Sequence, residues 1–140
     1  MIFYHLYRGG IRDILRSRVL PADGYPDLCR HETRRLRGAE QLDPCTEHCH
    51  GNEPGVVWLY TTPVWSSLFS TRMPAFHFTL DLPRWMVHRW PSWALKHGAN
   101  PAWVEYKGDA GGQEWITESP IPRAKWLAVE NCMTGFMVPI

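Results

Sequence analysis

Nowhere does this chain approach the roughly 18 consecutive apolar residues of a membrane-spanning helix, and its first residues lack the charged, apolar, small-residue order of a secretory signal. A cytoplasmic protein with no membrane partner is therefore expected. An excess of charge of one sign is also missing: 15 Lys and Arg stand against 14 Asp and Glu, for a net charge of +1. That near-neutrality gives no global pull toward nucleic acid or anionic surfaces and leaves only local patches to do so. Cysteine is sparse, with four unevenly placed residues, so reduced thiols or a metal are expected ahead of a disulfide framework. No internal repeat and no low-complexity tract occur.

What the chain has instead is tryptophan and proline, eight and twelve residues respectively. Both favour short strands, turns and aromatic packing over a helix bundle. A length of 140 residues with 44% hydrophobic content is enough for one core, so residues 1–140 are read as a single domain. Oligomeric state is not legible.

Residues 2–7 alternate and read as a strand. Ile11, Ile14, Leu15 and Val19 have one-face helical spacing, which predicts a helix over 11–19. Residues 21–55 show little periodicity and read as a long loop with a weak helix around 32–42; a loop of that length is usually functional or disordered. Val56 to Thr62 is the clearest strand, between Pro54-Gly55 and Pro63. In 75–82, Phe76, Phe78 and Leu80 should face one way and His77, Thr79 and Asp81 the other. Residues 85–97 read as a helix interrupted by Pro91, and 103–106, 114–116 and 126–129 as short strands. The order is that of an α+β fold.

Three of these segments place one chemically capable residue within an apolar or aromatic run: His5 in Tyr4-His5-Leu6, Tyr60 in Trp58-Leu59-Tyr60-Thr61-Thr62, and Glu114 in Gln113-Glu114-Trp115-Ile116. Gly9-Gly10, after Arg8, permits close approach of a substrate to the backbone. Glu114 follows Gly111-Gly112 and precedes Trp115, a setting that can hold a carboxylate in a partly dry position.

In this order the segments resemble the three motifs of diphtheria-toxin-type ADP-ribosyltransferases and poly-ADP-ribose polymerases. Tyr4-His5 leading to Ile11-x-x-Ile14-Leu15 is similar to the first motif, the Tyr60 strand to the second, and the Glu114 strand to the third. The segment from Ile121-Pro122 to Trp126 and Val129-Glu130 is similar to the last edge element of small members. The resemblance touches about a third of the chain and departs at Leu6-Tyr7, where many members carry Gly-Thr or Gly-Ser. It implies an ADP-ribosyltransferase-like split antiparallel β-sandwich with short helices.

It further implies a glycosyltransferase-class enzyme that uses NAD as a substrate to mono-ADP-ribosylate a protein or nucleic acid. In that reading Glu114 stabilises the oxocarbenium, Tyr60 stacks on nicotinamide, and His5 hydrogen-bonds the adenosine-side ribose. Arg8 meets the pyrophosphate, Thr61 lines the site, and Trp65 or Phe69 supplies the opposing aromatic face. Gly112, where arginine-modifying members carry Glu or Gln, argues against arginine as acceptor. Small stand-alone members include toxins and phage-encoded effectors, and RNA 2′-phosphate transfer is a related chemistry whose basic cleft residues are not evident here. The reading requires His5, Tyr60 and Glu114 to converge on one cleft; side chains on opposite faces, or more than about 15 Å apart, would count against the enzyme and for the binding module.

The long loop carries Cys29-Arg30-His31 and Cys45-Thr46-Glu47-His48-Cys49-His50. Cys29, Cys45, Cys49 and His50 form a candidate structural zinc set, since Cys-x3-Cys is within the spacing of such sites. Against it, Cys29 to Cys45 follows no standard finger spacing. Arg30, Arg34, Arg35 and Arg37 read first as a solvated helix face, and Cys132 as a small buried residue. The competing functional reading is a non-enzymatic module, with or without ordering by zinc, that inhibits or scaffolds a protein or nucleic-acid partner through exposed Trp85, Trp90 and Trp93.

Overall fold

The computed structural model describes residues 1–28, 55–63, 74–107 and 114–140. Strand β1 (Ile2–Arg8) ends at Gly9, whose φ of 133° turns the chain toward helix α1 (Arg12–Ser17). The helix stops short of residue 19 because Arg18 adopts a left-handed conformation, φ 60°, with its N–H on the Ile14 carbonyl. Val19 and Leu20 are thereby released into β2 (Val19–Leu20).

The chain is next held by a bridge from Gly24 to Val56, with N–H to O distances of 2.8 and 2.9 Å. A Cβ on Gly24 would stand 2.7 Å from the Val56 carbonyl oxygen, too close for any other residue without displacement. Strands β3 (Val57–Tyr60) and β4 (Ala75–Asp81) follow, then a 3-10 turn over Arg84–Met86 and β5 (His88–Arg89). Helices α2 (Trp90–Lys96) and α3 (Pro101–Lys107) precede β6 (Glu114–Thr117), β7 (Ile121–Pro122), a second 3-10 turn over Arg123–Lys125, and β8 (Trp126–Asn131). Among the described residues the main sheet has the order β5-β6-β3-β1-β4-β8, and β2 pairs with β7. All of these pairings are antiparallel. The mixed α+β class is as expected from the sequence, and no helix among the described residues is long and apolar enough to cross a membrane.

Strand alternation gives the sheet an apolar layer on each face. One holds Phe3, Leu59, Phe78, Leu80, Trp115 and Val129, closed by Ile14 of α1 and by Leu20 and Ile121 of the small sheet. The other packs Ile116 against Trp90, Trp93, Trp103 and Val104 of the two helices, with Val56 and Leu28. Phe76, Phe78 and Leu80 fall on the first face as the alternation of β4 requires, while His77 on the opposite side is buried too and stacks on Tyr4 at 5.3 Å.

Three expectations are corrected. Residues 103–106 are part of a helix, because Pro101 opens it and the Asn100 side chain accepts the Ala102 N–H at 2.9 Å. Residues 85–97 are not one helix: Pro91 lies in the first turn of α2 and starts it rather than interrupting it. Trp90 and Trp93 are buried, leaving only Trp85 of the proposed binding tryptophans exposed. Cys132 is partly buried, and burial followed by the Glu130 charge raises its thiol pKa. The weak helix around 32–42 lies outside the described residues.

The tryptophans explain how the segment before β3 is fixed. Trp58 of β3, Trp90 of α2 and Trp103 of α3 donate their indole N–H groups to three successive carbonyls, those of Tyr25, Pro26 and Asp27, at 2.7, 2.9 and 2.8 Å. Asp27 is left-handed, φ 54°, and its carboxylate meets the Lys107 ammonium at 2.9 Å. Replacing Trp90, which is fully buried, by Phe leaves the Pro26 carbonyl unpaired and removes part of a core ring. The expected loss is about 2–4 kcal/mol. Urea denaturation of Trp90→Phe beside Trp85→Phe checks this, with the exposed Trp85 position changing by less than about 0.5 kcal/mol.

Candidate functional site

The three strands that carry the singled-out segments, β1, β3 and β6, are immediate neighbours in the sheet. Tyr60 pairs directly with Glu114 across β3 and β6, and with Tyr4 across β3 and β1. Directly opposed residues share a face, with Cβ atoms about 4.5–5.5 Å apart. Tyr4, Tyr60 and Glu114 therefore form one row on the face that also bears Trp58.

His5 does not join that row. Alternation puts it with Phe3 and Tyr7, and its ring lies 6.4 Å from Phe78 in the opposite layer. The requirement that all three side chains converge on one face is therefore met for Tyr60 and Glu114 and not for His5. What links His5 to the others is a defect in the sheet. The β1–β3 ladder is registered at Tyr4↔Tyr60 alone, whereas β1–β4 runs from Ile2↔Asp81 to Arg8↔Ala75 and β3–β6 from Val57↔Thr117 to Tyr60↔Glu114. Beyond Tyr4 the Trp58 carbonyl takes the His5 imidazole as partner, at 2.8 Å from Nδ1. A main-chain carbonyl of a strand lies near the sheet plane, so the ring that bonds it sits at the opening between β1 and β3.

The electrostatics fix the protonation states. Burial lowers the pKa of His5; the Trp58 carbonyl and Asp23 raise it in part, and His77 lowers it further. The ring is then neutral near pH 7. A carbonyl only accepts, so Nδ1 carries the proton and donates, and Nε2 is left as an acceptor. The Tyr60 phenol is raised above its ordinary pKa, first by burial, then by the Glu114 and Asp27 charges, against a smaller opposing effect of Arg8. It remains a neutral hydroxyl on an aromatic ring. Tyr60 and Glu114 thus offer an aromatic face, a hydroxyl and a carboxylate on one face of the sheet, while the His5 acceptor belongs to the opposite face.

Arg8 is exposed at the end of β1, and Thr61 is exposed directly after β3. Trp65 and Phe69, and the zinc candidates Cys29, Cys45, Cys49 and His50, lie outside the described residues, as do Gly112 and the Arg30, Arg34, Arg35 and Arg37 run. Among the described residues no group of three or more His, Cys, Asp or Glu side chains is placed to hold a metal ion. Asp27 and Lys107 were not singled out by sequence, although Pro26-Asp27 is turn chemistry that could have marked a fixed bend beside the site. Comparison with protein-family models, curated proteins and solved structures finds no match.

The two depressed histidines set a pH dependence. Burial also lowers the pKa of His77, with Glu130 raising it in part. Below about pH 6.5 the unfolded chain binds protons that the folded His5 and His77 refuse, so stability is full above that pH and falls on acidification through it. Urea midpoints measured between about pH 5.5 and 7.5 should decrease toward acid. His5→Asn keeps an N–H donor for the Trp58 carbonyl without a titrating group, and should make the decrease shallower. A midpoint that rises toward acid contradicts the assignment.

Proposed function

We propose that the chain is a NAD-dependent mono-ADP-ribosyltransferase acting on a macromolecular acceptor. The observation that supports the reading is the direct pairing of Tyr60 with Glu114 across adjacent strands. The three motif-like segments, far apart in sequence, occupy adjacent strands.

Cleaving the bond between ribose and nicotinamide sends both bonding electrons to the nicotinamide nitrogen and leaves positive charge on the sugar. Glu114, partly buried at the start of β6, stabilises that charge more strongly than it would in water. Tyr60 gives the departing ring a flat surface to rest on and keeps it in line. His5, through an Nε2 fixed as an acceptor, takes a hydrogen bond from a ribose hydroxyl. Arg8 is a cation on the same strand as His5 and suits the pyrophosphate. The new bond forms to the acceptor's nucleophilic atom, which gives up its proton to solvent or a neighbouring base.

Nicotinamide release from NAD, measured with a cell extract as the source of acceptor, tests the reading. Glu114→Gln should lower the rate by about 10²-fold or more, since the charge is removed while the shape is kept. Tyr60→Ala should raise KM for NAD about tenfold through lost stacking. Absence of both NAD turnover and NAD binding in the wild-type protein would discard the transferase reading.

A further inference from the structure

The end of the sheet formed by the last residues of β4 and the first of β8 carries several cations without an ion pair among the described residues, and one exposed indole. The 3-10 turn Arg84–Met86 follows β4 closely, and the 3-10 turn Arg123–Lys125 leads into β8, whose Trp126 pairs with Leu80. The two turns therefore lie at the same end. The Arg123 N–H donates to the Arg18 carbonyl at 2.8 Å, which brings the end of α1 there as well. Arg18, Arg84, Arg123 and Lys125 make no ion pair with a carboxylate among the described residues. Asp81, the acid of this end of β4, is taken by the N-terminal ammonium at 3.2 Å.

Two of these cations are held in place before any ligand arrives. The Arg84 guanidinium lies 5.1 Å over the Trp115 ring and donates to the Val87 carbonyl at 2.9 Å. The Arg123 guanidinium lies 5.8 Å over the Trp126 ring and donates to the Trp126 carbonyl at 3.2 Å, while its buried Nε has no partner. Trp85, next to Arg84 in the same 3-10 turn, is 78% exposed, the only exposed indole among the described residues. Every other described tryptophan is at least partly buried, so an indole left in water beside fixed cations stands apart from the packing pattern.

We propose that this surface binds single-stranded nucleic acid, with Trp85 stacking on a base and Arg18, Arg84, Arg123 and Lys125 contacting backbone phosphates. A lone protruding indole needs an unstacked planar partner, which a single strand offers and a duplex or an acidic peptide does not. The cations supply the charge complementarity that the nearly neutral chain lacks as a whole. Trp115, which carries Arg84, faces the Phe3 layer, on the opposite side of β6 from Glu114. That such a strand is also the acceptor rests on the transferase reading; the docking does not.

Fluorescence anisotropy of a labelled single-stranded oligonucleotide of about 12 nucleotides, titrated with the full chain in the absence of NAD, tests the docking. Binding is expected with a log–log salt slope of about −3, as four phosphate contacts on a single strand imply. Trp85→Ala should weaken it about tenfold at unchanged slope, and the Arg84→Glu, Lys125→Glu double variant should flatten the slope, with near-UV circular dichroism showing that both variants remain folded. No binding at low salt, affinity unaffected by Trp85→Ala, or equal competition by a polyglutamate peptide overturns the inference. Binding without NAD turnover removes only the transferase reading, and turnover without binding removes only this one.

Discussion

Three indole N–H groups on three consecutive carbonyls hold the rest of this structure in relation to the sheet. The stretch from Tyr25 to Asp27 runs beside an apolar layer, where an unpaired carbonyl costs about 1–3 kcal/mol. Trp58, Trp90 and Trp103 satisfy these carbonyls from a strand and two helices. One short segment thereby ties α2 and α3 to β3, and sets the Asp27–Lys107 pair within electrostatic range of Tyr60. Three of the eight tryptophans have their physical reason here: each N–H closes a main-chain hydrogen bond that no strand partner supplies.

The second determinant is the reduced ladder between β1 and β3. A complete ladder would use the Trp58 carbonyl within the sheet and leave His5 as one more residue of the Phe3 layer. With pairing reduced to Tyr4↔Tyr60, the Trp58 carbonyl fixes the imidazole tautomer instead. The two flanking ladders, β1–β4 and β3–β6, secure the strands on either side of the reduced ladder. The chemistry proposed for the site therefore depends on a local loss of regular structure that the rest of the sheet tolerates.

Much of this was legible in the sequence. The alternating runs around Phe3, Leu59, Phe78, Trp115 and Val129 are strands because each places apolar side chains on a buried face with period two. Trp103-Val104, read as strand by residue preference, became helix because Asn100 and Pro101 start one; capping chemistry outweighed the propensity of two residues. Pro91 follows the same rule: inside a helical pattern it suggests a break, and in the first turn of α2 it is a beginning. The burial of Trp90 and Trp93 follows from α2 packing on the face bearing Ile116, and no local pattern states which face of a sheet a later helix will cover. The row of Tyr60 and Glu114 was foreseeable from two strand assignments, but the side on which His5 falls depends on register, which sequence alone does not fix.

The role proposed for His5 stands on its Nδ1 donating to the Trp58 carbonyl and its Nε2 remaining an acceptor. Long-range ¹H–¹⁵N correlation spectra of histidine-labelled protein, recorded near pH 7 with and without NAD, address this directly. The account predicts a neutral ring protonated at Nδ1 in the free protein, and an Nε2 resonance that moves toward the hydrogen-bonded range on NAD addition while Nδ1 stays nearly unchanged. A ring protonated at Nε2, or a His5 spectrum indifferent to saturating NAD, would contradict it.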